Sequence, residues 1–111
     1  MRKIMLVTVV ALMLFSACGD NNKVKKPDVL LTEQQMIDVL ADSYLIEADL
    51  NQRKTVGENV TKLQGAYYGQ LFEHYGITDS ILEQNMVYYT HFPNVLERIM
   101  DSVNQRFERL K

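Results

Sequence analysis

Leu30 to Leu50 reads LLTEQQMIDVLADSYLIEADL, and this stretch decides the fold. Thr32 followed three residues on by Gln35 matches a capping box, in which each side chain satisfies the other residue's free backbone N–H. Beyond the cap, Met36, Ile37, Leu40, Ala41, Tyr44 and Ala48 recur at helical spacing and share one face. Val39, Ile46 and Leu50 form a second apolar stripe, set apart from the first by a narrow acidic strip of Asp38, Asp42 and Asp49. The spacing predicts a helix from Glu33 to about Leu50. A helix apolar on two sides is either the centre of a bundle or keeps one side for a partner.

Working outward, NQRKTVGEN (Asn51–Asn59) reads as a polar loop around Gly57. A second helix is expected from about Glu58 to Tyr75, with Val60, Leu63, Tyr67, Leu71 and Tyr75 inward and Tyr68 and Phe72 flanking. Gly76 stands where a left-handed cap is wanted, and Ile77 supplies the apolar contact that often follows one. Either Thr78 or Ser80 can open a third helix, and Ser80 with Glu83 is the capping-box choice. That helix carries Ile81, Leu82, Met86 and Tyr89 and stops before Pro93, because the residue before a proline avoids helical angles. Pro93 can itself open a last helix, in which Val95, Leu96, Ile99, Met100, Val103, Phe107 and Leu110 make a single stripe. No internal repeat and no sustained strand-type alternation is visible. The expected fold is all-α, a small bundle of about four helices with a modest core and marginal stability.

The start of the chain is not domain material. Met1, Arg2 and Lys3 are a basic start, Ile4 to Phe15 is apolar apart from Thr8, and Ser16 and Ala17 are small. That is the pattern of a secretory signal, and it is too short for a bilayer span of about 20 apolar residues. FSAC (Phe15–Cys18) resembles the bacterial lipobox, with Phe15 where Leu is usual. The resemblance implies cleavage before Cys18 and acylation of its thiol, which answers why the chain has a single cysteine and no internal disulfide. One fatty chain holds a protein only marginally, whereas two or more hold it stably. Gly19 to Val29, with Asp, two Asn, three Lys and Pro27, reads as a solvated tether. The expected organisation is therefore signal peptide 1–17, lipidated Cys18 and linker 18–30, and helical domain 31–111. Gly19 after the cysteine, with only Asp20 as an acidic follower, favours the outer membrane facing the periplasm.

Removing residues 1–17 subtracts Arg2 and Lys3, leaving 12 − 2 = 10 basic against 14 acidic residues and a net charge of −4. An exported acidic domain offers no basic stripe for nucleic acid. The one basic cluster, Lys23, Lys25 and Lys26, adjoins the anchor and keeps the tether solvated.

PDVLLTEQQMIDVLADSYLIEADL and HYGITDSILEQNMVYYTHFPNVLERIMDSVNQRF together resemble a family of short bacterial lipoproteins defined only by a domain of unknown function. The matching positions are Pro27, Met36, Leu40, Asp42, the Glu47–Ala48 pair, Tyr75, Gly76, Ile77, Thr78, Tyr88, Tyr89 and Pro93. The resemblance spans nearly the whole mature chain. It implies an exported helical lipoprotein and no activity.

Candidates for chemistry are few. Glu47 falls between Met36 and Leu40 on the helical wheel, a candidate buried carboxylate that would need a partner such as Arg98 or Arg109. Asp38, Asp42 and Asp49 lie on one stripe, but a straight helix cannot wrap a cation such as calcium. His74 and His91 have no second ligand at metal spacing, and no nucleophile–base pair is visible. Among the tyrosines, Tyr44, Tyr67, Tyr75 and Tyr89 are expected in the core, while Tyr68 and Tyr88 are the candidate surface aromatics. The expectation is a non-catalytic protein without metal or cofactor, held to the membrane through lipid on Cys18. Its candidate surface for an envelope protein partner is Val39, Ile46 and Leu50 beside Asp38, Asp42 and Asp49. The alternative is a carrier or chaperone-like module that binds an apolar ligand or unfolded client.

Overall fold

The computed structural model describes residues 24–110. The expected leader, Cys18 and the first part of the tether lie outside these residues. Four helices follow one another: α1 Glu33–Thr55, α2 Thr61–Tyr75, α3 Asp79–Thr90 and α4 Pro93–Glu108. Among the described residues there is no strand, and no helix is long and apolar enough to cross a membrane.

Local chemistry sets the helix ends. The Thr32 hydroxyl accepts from the Gln35 backbone N–H at 3.1 Å, and Gln35 Oε1 accepts from the Thr32 N–H at 2.8 Å, so the capping box is complete. α1 runs one turn further than expected, to Thr55. Gln52, Arg53 and Lys54 of the supposed loop are good helix formers, and Arg53 pairs back to Asp49 one turn earlier. Gly57, at φ +88°, ends the run, and the Glu58 N–H closes onto the Arg53 carbonyl at 3.0 Å. α2 starts correspondingly late, at Thr61, whose N–H is accepted by Asn59 Oδ1. Gly76 caps α2 at φ +64°, and the Ile77 N–H reaches the Phe72 carbonyl at 3.0 Å. α3 is opened by Thr78 rather than Ser80: the Thr78 hydroxyl accepts from the Ile81 N–H at 3.1 Å. The Ser80 hydroxyl, inside the helix, instead accepts from Gln84 Nε2 at 3.3 Å. Pro93 opens α4 at its first turn, where the missing N–H costs nothing.

α1 is the central helix, packed against α4 on one side and α2 on the other, while α3 packs on α4. The main core gathers Leu31, Met36, Leu40, Ala41, Tyr89, Ile99 and Val103, bordered by Ile37, Ile77, Leu82, Met86, Val95, Leu96 and Met100. Val39 and Leu50 of α1, with Val60 and Leu71 next to and on α2, are buried outside that cluster. Bonds from α2 reach α1 on both flanks of the line Val39, Ser43, Ile46 and Leu50, so α2 lies antiparallel over that line. The two-sided pattern of α1 thus marks a central helix, and Val39 and Leu50 of its second stripe are covered from within the chain.

The segment before α1 is part of the folded unit. Asn85, fully buried on α3, accepts from the Leu31 N–H at 2.8 Å through Oδ1 and donates through Nδ2 to the Val29 and Ile81 carbonyls, both at 2.8 Å. The Tyr89 hydroxyl donates to the Leu31 carbonyl. Val29 to Leu31 is therefore an extended strap sewn onto α3, and the expected linker gives way to fixed structure before residue 31.

Candidate functional site

The residues expected to carry function on α1 meet α2 in a seam of tyrosine–carboxylate bonds. The Tyr75 hydroxyl donates to Asp42 and the Tyr68 hydroxyl to Glu47, while Tyr67 donates to Asp49 Oδ2 at 2.9 Å. Asp49 Oδ2 also accepts from Arg53 Nε at 2.9 Å. Asp38 Oδ1 accepts from Arg106 Nη1 of α4 at 2.7 Å and from Gln34 Nε2 at 3.0 Å. The acidic strip is thus a polar seam between the two helices that flank α1, each carboxylate engaged by an arginine or a tyrosine of the same chain. Asp38, Asp42 and Asp49 of the expected partner surface are thus half-buried and bonded within the chain, and Asp42 also lines the groove between α1 and α2.

The electrostatics follow from these contacts. The Arg53 guanidinium, then the Tyr67 hydroxyl, hold the Asp49 carboxyl below the usual range, and Asp49 in turn raises both the Arg53 and the Tyr67 pKa. Burial, followed by the bond to Glu47, pushes the Tyr68 phenol up to about 12. Tyr75 is raised as well, first by burial and then by Asp42. Neutral phenols donating to ionised carboxylates are the stable arrangement, because a phenolate beside a carboxylate would repel it.

Val39 and Leu50 are buried beneath α2, so they leave the expected partner surface. Ile46, half-buried, remains in it. Together with Asp42 it lines a groove of about 320 Å³ whose other wall is Tyr67, Gln70, Leu71 and His74 of α2. Glu47 is half-buried at the edge of the helix pair, and its partner is Tyr68; Arg98 pairs with Glu33 at 2.6 Å instead. Tyr68 is half-buried, with the Phe72 ring 6.0 Å away. Tyr88 is also half-buried, at 5.3 Å from the Tyr89 ring and 5.0 Å from Phe92. Neither projects freely, whereas Tyr44, expected in the core, is 38% exposed, with its neighbour Leu45 also exposed. His74 is exposed and meets the Tyr75 ring edge-on at 4.8 Å, and His91 is exposed at the end of α3. Among the described residues, no group of three or more His, Cys, Asp or Glu side chains is placed to hold a metal.

Sequence reasoning missed two side chains. Asn85 sits on the apolar face of α3, one turn after Ile81 and one before Tyr89, and a polar residue at a core position is the signal that marks it. Arg106 stands beside the apolar stripe of α4, three residues after Val103, within reach of the acidic strip.

The fold and seam define a small helical module built on a central two-sided helix. The chain belongs to the family described as Domain of unknown function (DUF4296), whose model matches residues 27–111. That match begins just before the strap, in keeping with a folded unit that includes it. No curated protein and no solved structure matches the chain.

Proposed function

We propose that this protein is a lipid-anchored, non-catalytic accessory subunit of a bacterial cell envelope. In this reading Cys18 carries the acyl chains after removal of residues 1–17, and the groove between α1 and α2 receives an envelope protein partner. The observation that carries the reading is the α1–α2 seam. Carboxylates that would otherwise be candidates for acid–base work are committed to Tyr67, Tyr68, Tyr75, Arg53 and Arg106, and Asp42 and Tyr67 among them border a mixed apolar and polar groove. Ile46 and Leu71 supply its apolar floor, while Gln70 and His74 supply polar rims, a composition suited to a protein segment. The start of the strap supports the anchoring half of the reading. From Cys18 to Val29 is 29 − 18 = 11 residues, at most about 37 Å of chain, which keeps the domain at the membrane surface.

The test is made in intact cells of a Gram-negative host with the full chain. An alkyne-bearing fatty acid should label the native protein and leave Cys18→Ala unlabelled, with the native form in the outer-membrane fraction. A photo-crosslinking residue at Ile46 should capture one dominant envelope protein, and the same residue at Val56 should not. A native chain that stays soluble and unlabelled overturns the anchoring. A labelled chain that captures nothing through Ile46 overturns the groove as docking site.

A further inference from the structure

The segment leading into the strap, residues 25–28, and α3 together build a second groove, of about 410 Å³, on which Lys25, Lys26 and Asp28 face Glu83 and Val87. Glu83 and Val87 are one helical turn apart on the same side of α3, and Asn85 between them fixes the strap in place. Val87, which lines this groove, is 57% exposed, and Val29, next in the chain after the lining residue Asp28, is 47% exposed.

We propose that this groove is the membrane-contacting face of the domain and seats the headgroups of a zwitterionic phospholipid surface. The inference rests on the lipid anchor proposed above, because the tether is what brings this face to the bilayer. Val24, five residues ahead of the strap, is six residues beyond Cys18 (24 − 18 = 6), at most about 20 Å of chain. No other part of the folded unit is tied so closely to the anchor. The charges fit the same occupant. Lys25 and Lys26 offer ammonium groups to a lipid phosphate, while Asp28 and Glu83 offer carboxylates to a headgroup ammonium. Mixed charge of this kind suits a headgroup that carries both signs better than a purely anionic one. Val29 and Val87 supply apolar contacts of the sort that enter the headgroup boundary.

α1 leaves the strap end and, with 23 residues, runs about 34 Å before turning at Val56. The turn at Val56 is therefore at the far end of α1 from the strap, and its exposed side chain is the remote reference position for this face.

The chain has no tryptophan, so single tryptophans report without background. Val87→Trp and Val56→Trp replace exposed valines, the latter 73% exposed at the far turn, and neither should disturb the fold. Each lipidated full-length variant is reconstituted into zwitterionic phospholipid vesicles with or without brominated acyl chains. The Val87→Trp emission should shift to the blue and lose most of its intensity on brominated lipid, while Val56→Trp emission stays unchanged. Replacing Lys25 and Lys26 by Gln in the Val87→Trp background should weaken the quenching. Equal quenching at both positions, no quenching at Val87→Trp, or quenching that requires added anionic lipid would each overturn the proposal while leaving the anchor intact. A chain that fails to float with the vesicles removes the anchoring reading and this surface with it.

Discussion

Replacing Asn85 by leucine puts an apolar side chain of similar volume into a position surrounded by the apolar residues of α3. If the strap merely lay against the bundle, this change would add apolar burial and raise stability. The structure gives the opposite sign. Asn85 supplies the acceptor for the Leu31 N–H and a donor for the Val29 carbonyl, at 2.8 Å each. Leu31 is buried, so its N–H has no water to turn to and would cost about 1–3 kcal/mol when orphaned. The Val29 carbonyl can rotate towards solvent, because that residue is half exposed, and the Ile81 carbonyl keeps its place in the α3 ladder. After a partial offset from the added apolar contact, a net loss of about 2 kcal/mol remains. For a domain of this size that is a fall in Tm of about 8–16 °C. Thermal and urea unfolding followed by circular dichroism measure it, and trypsin cleavage after Lys25 should accelerate in parallel as the strap detaches. A Tm equal to or above that of the native chain would refute the clamp.

Gly76→Ala places a Cβ in the left-handed region at φ +64° with nothing within 4 Å to clash, so only backbone strain acts, and stability should fall by about 1 kcal/mol in urea unfolding. Gly76→Asn should lose less. Asp49 has a depressed pKa in the fold, so its contribution is present above the unfolded value of about 3.9 and is lost as pH falls through the folded one. Asp49→Asn should therefore destabilise the protein at neutral pH and lose that effect in strong acid, read from urea midpoints at the two pH values. Tyr68 has a raised pKa, so its contribution is complete below about pH 10 and is lost as pH rises towards about 12. Absorbance titration of the phenols should lag behind that of the urea-unfolded chain, and Tyr68→Phe should remove part of the lag.

What the sequence discloses here depends on the reach of each interaction. Thr32 with Gln35, Gly76 and Pro93 act on backbone within a few residues, and they mark helix ends correctly from sequence alone. The two stripes of α1 are equally legible, because periodicity is local. Which stripe is covered from within is another matter. The Tyr67–Asp49 and Tyr75–Asp42 bonds join residues 18 and 33 positions apart, and Asn85 reaches back 54 positions to Leu31. No local pattern encodes those pairings, so Val39 and Leu50 look as available to a partner as Ile46 does. Ser80 misleads for a related reason: Thr78 and Ser80 both satisfy cap chemistry, and the closure at Gly76 and Ile77 settles the choice by fixing where the chain turns.

The same asymmetry of contacts makes α2 the least firmly held of the helices. α4 buries Ile99 and Val103 completely within the main core. α2 packs on α1 and buries only Leu71 within the helix, with Val60 just before it. A buried leucine contributes about 1.5–3 kcal/mol, and the half-buried Tyr68–Glu47 and Tyr75–Asp42 bonds add about 0.5–1.5 kcal/mol net each, so the seam supplies as much of the hold on α2 as its apolar contact does. Local opening of α2 should then cost less than global unfolding. Amide hydrogen exchange should be faster at Leu71 and Phe72 than at Ile99 and Val103, and the double substitution Tyr68→Phe with Tyr75→Phe should accelerate the former alone. Uniform exchange across α2 and α4, or a substitution that loosens α4 equally, would show that α2 is no separate unit. Because Ile46 and Leu71 lie on opposite walls of the groove, a partner seated there holds α2 onto α1, and its binding should be read directly as slowed exchange in α2.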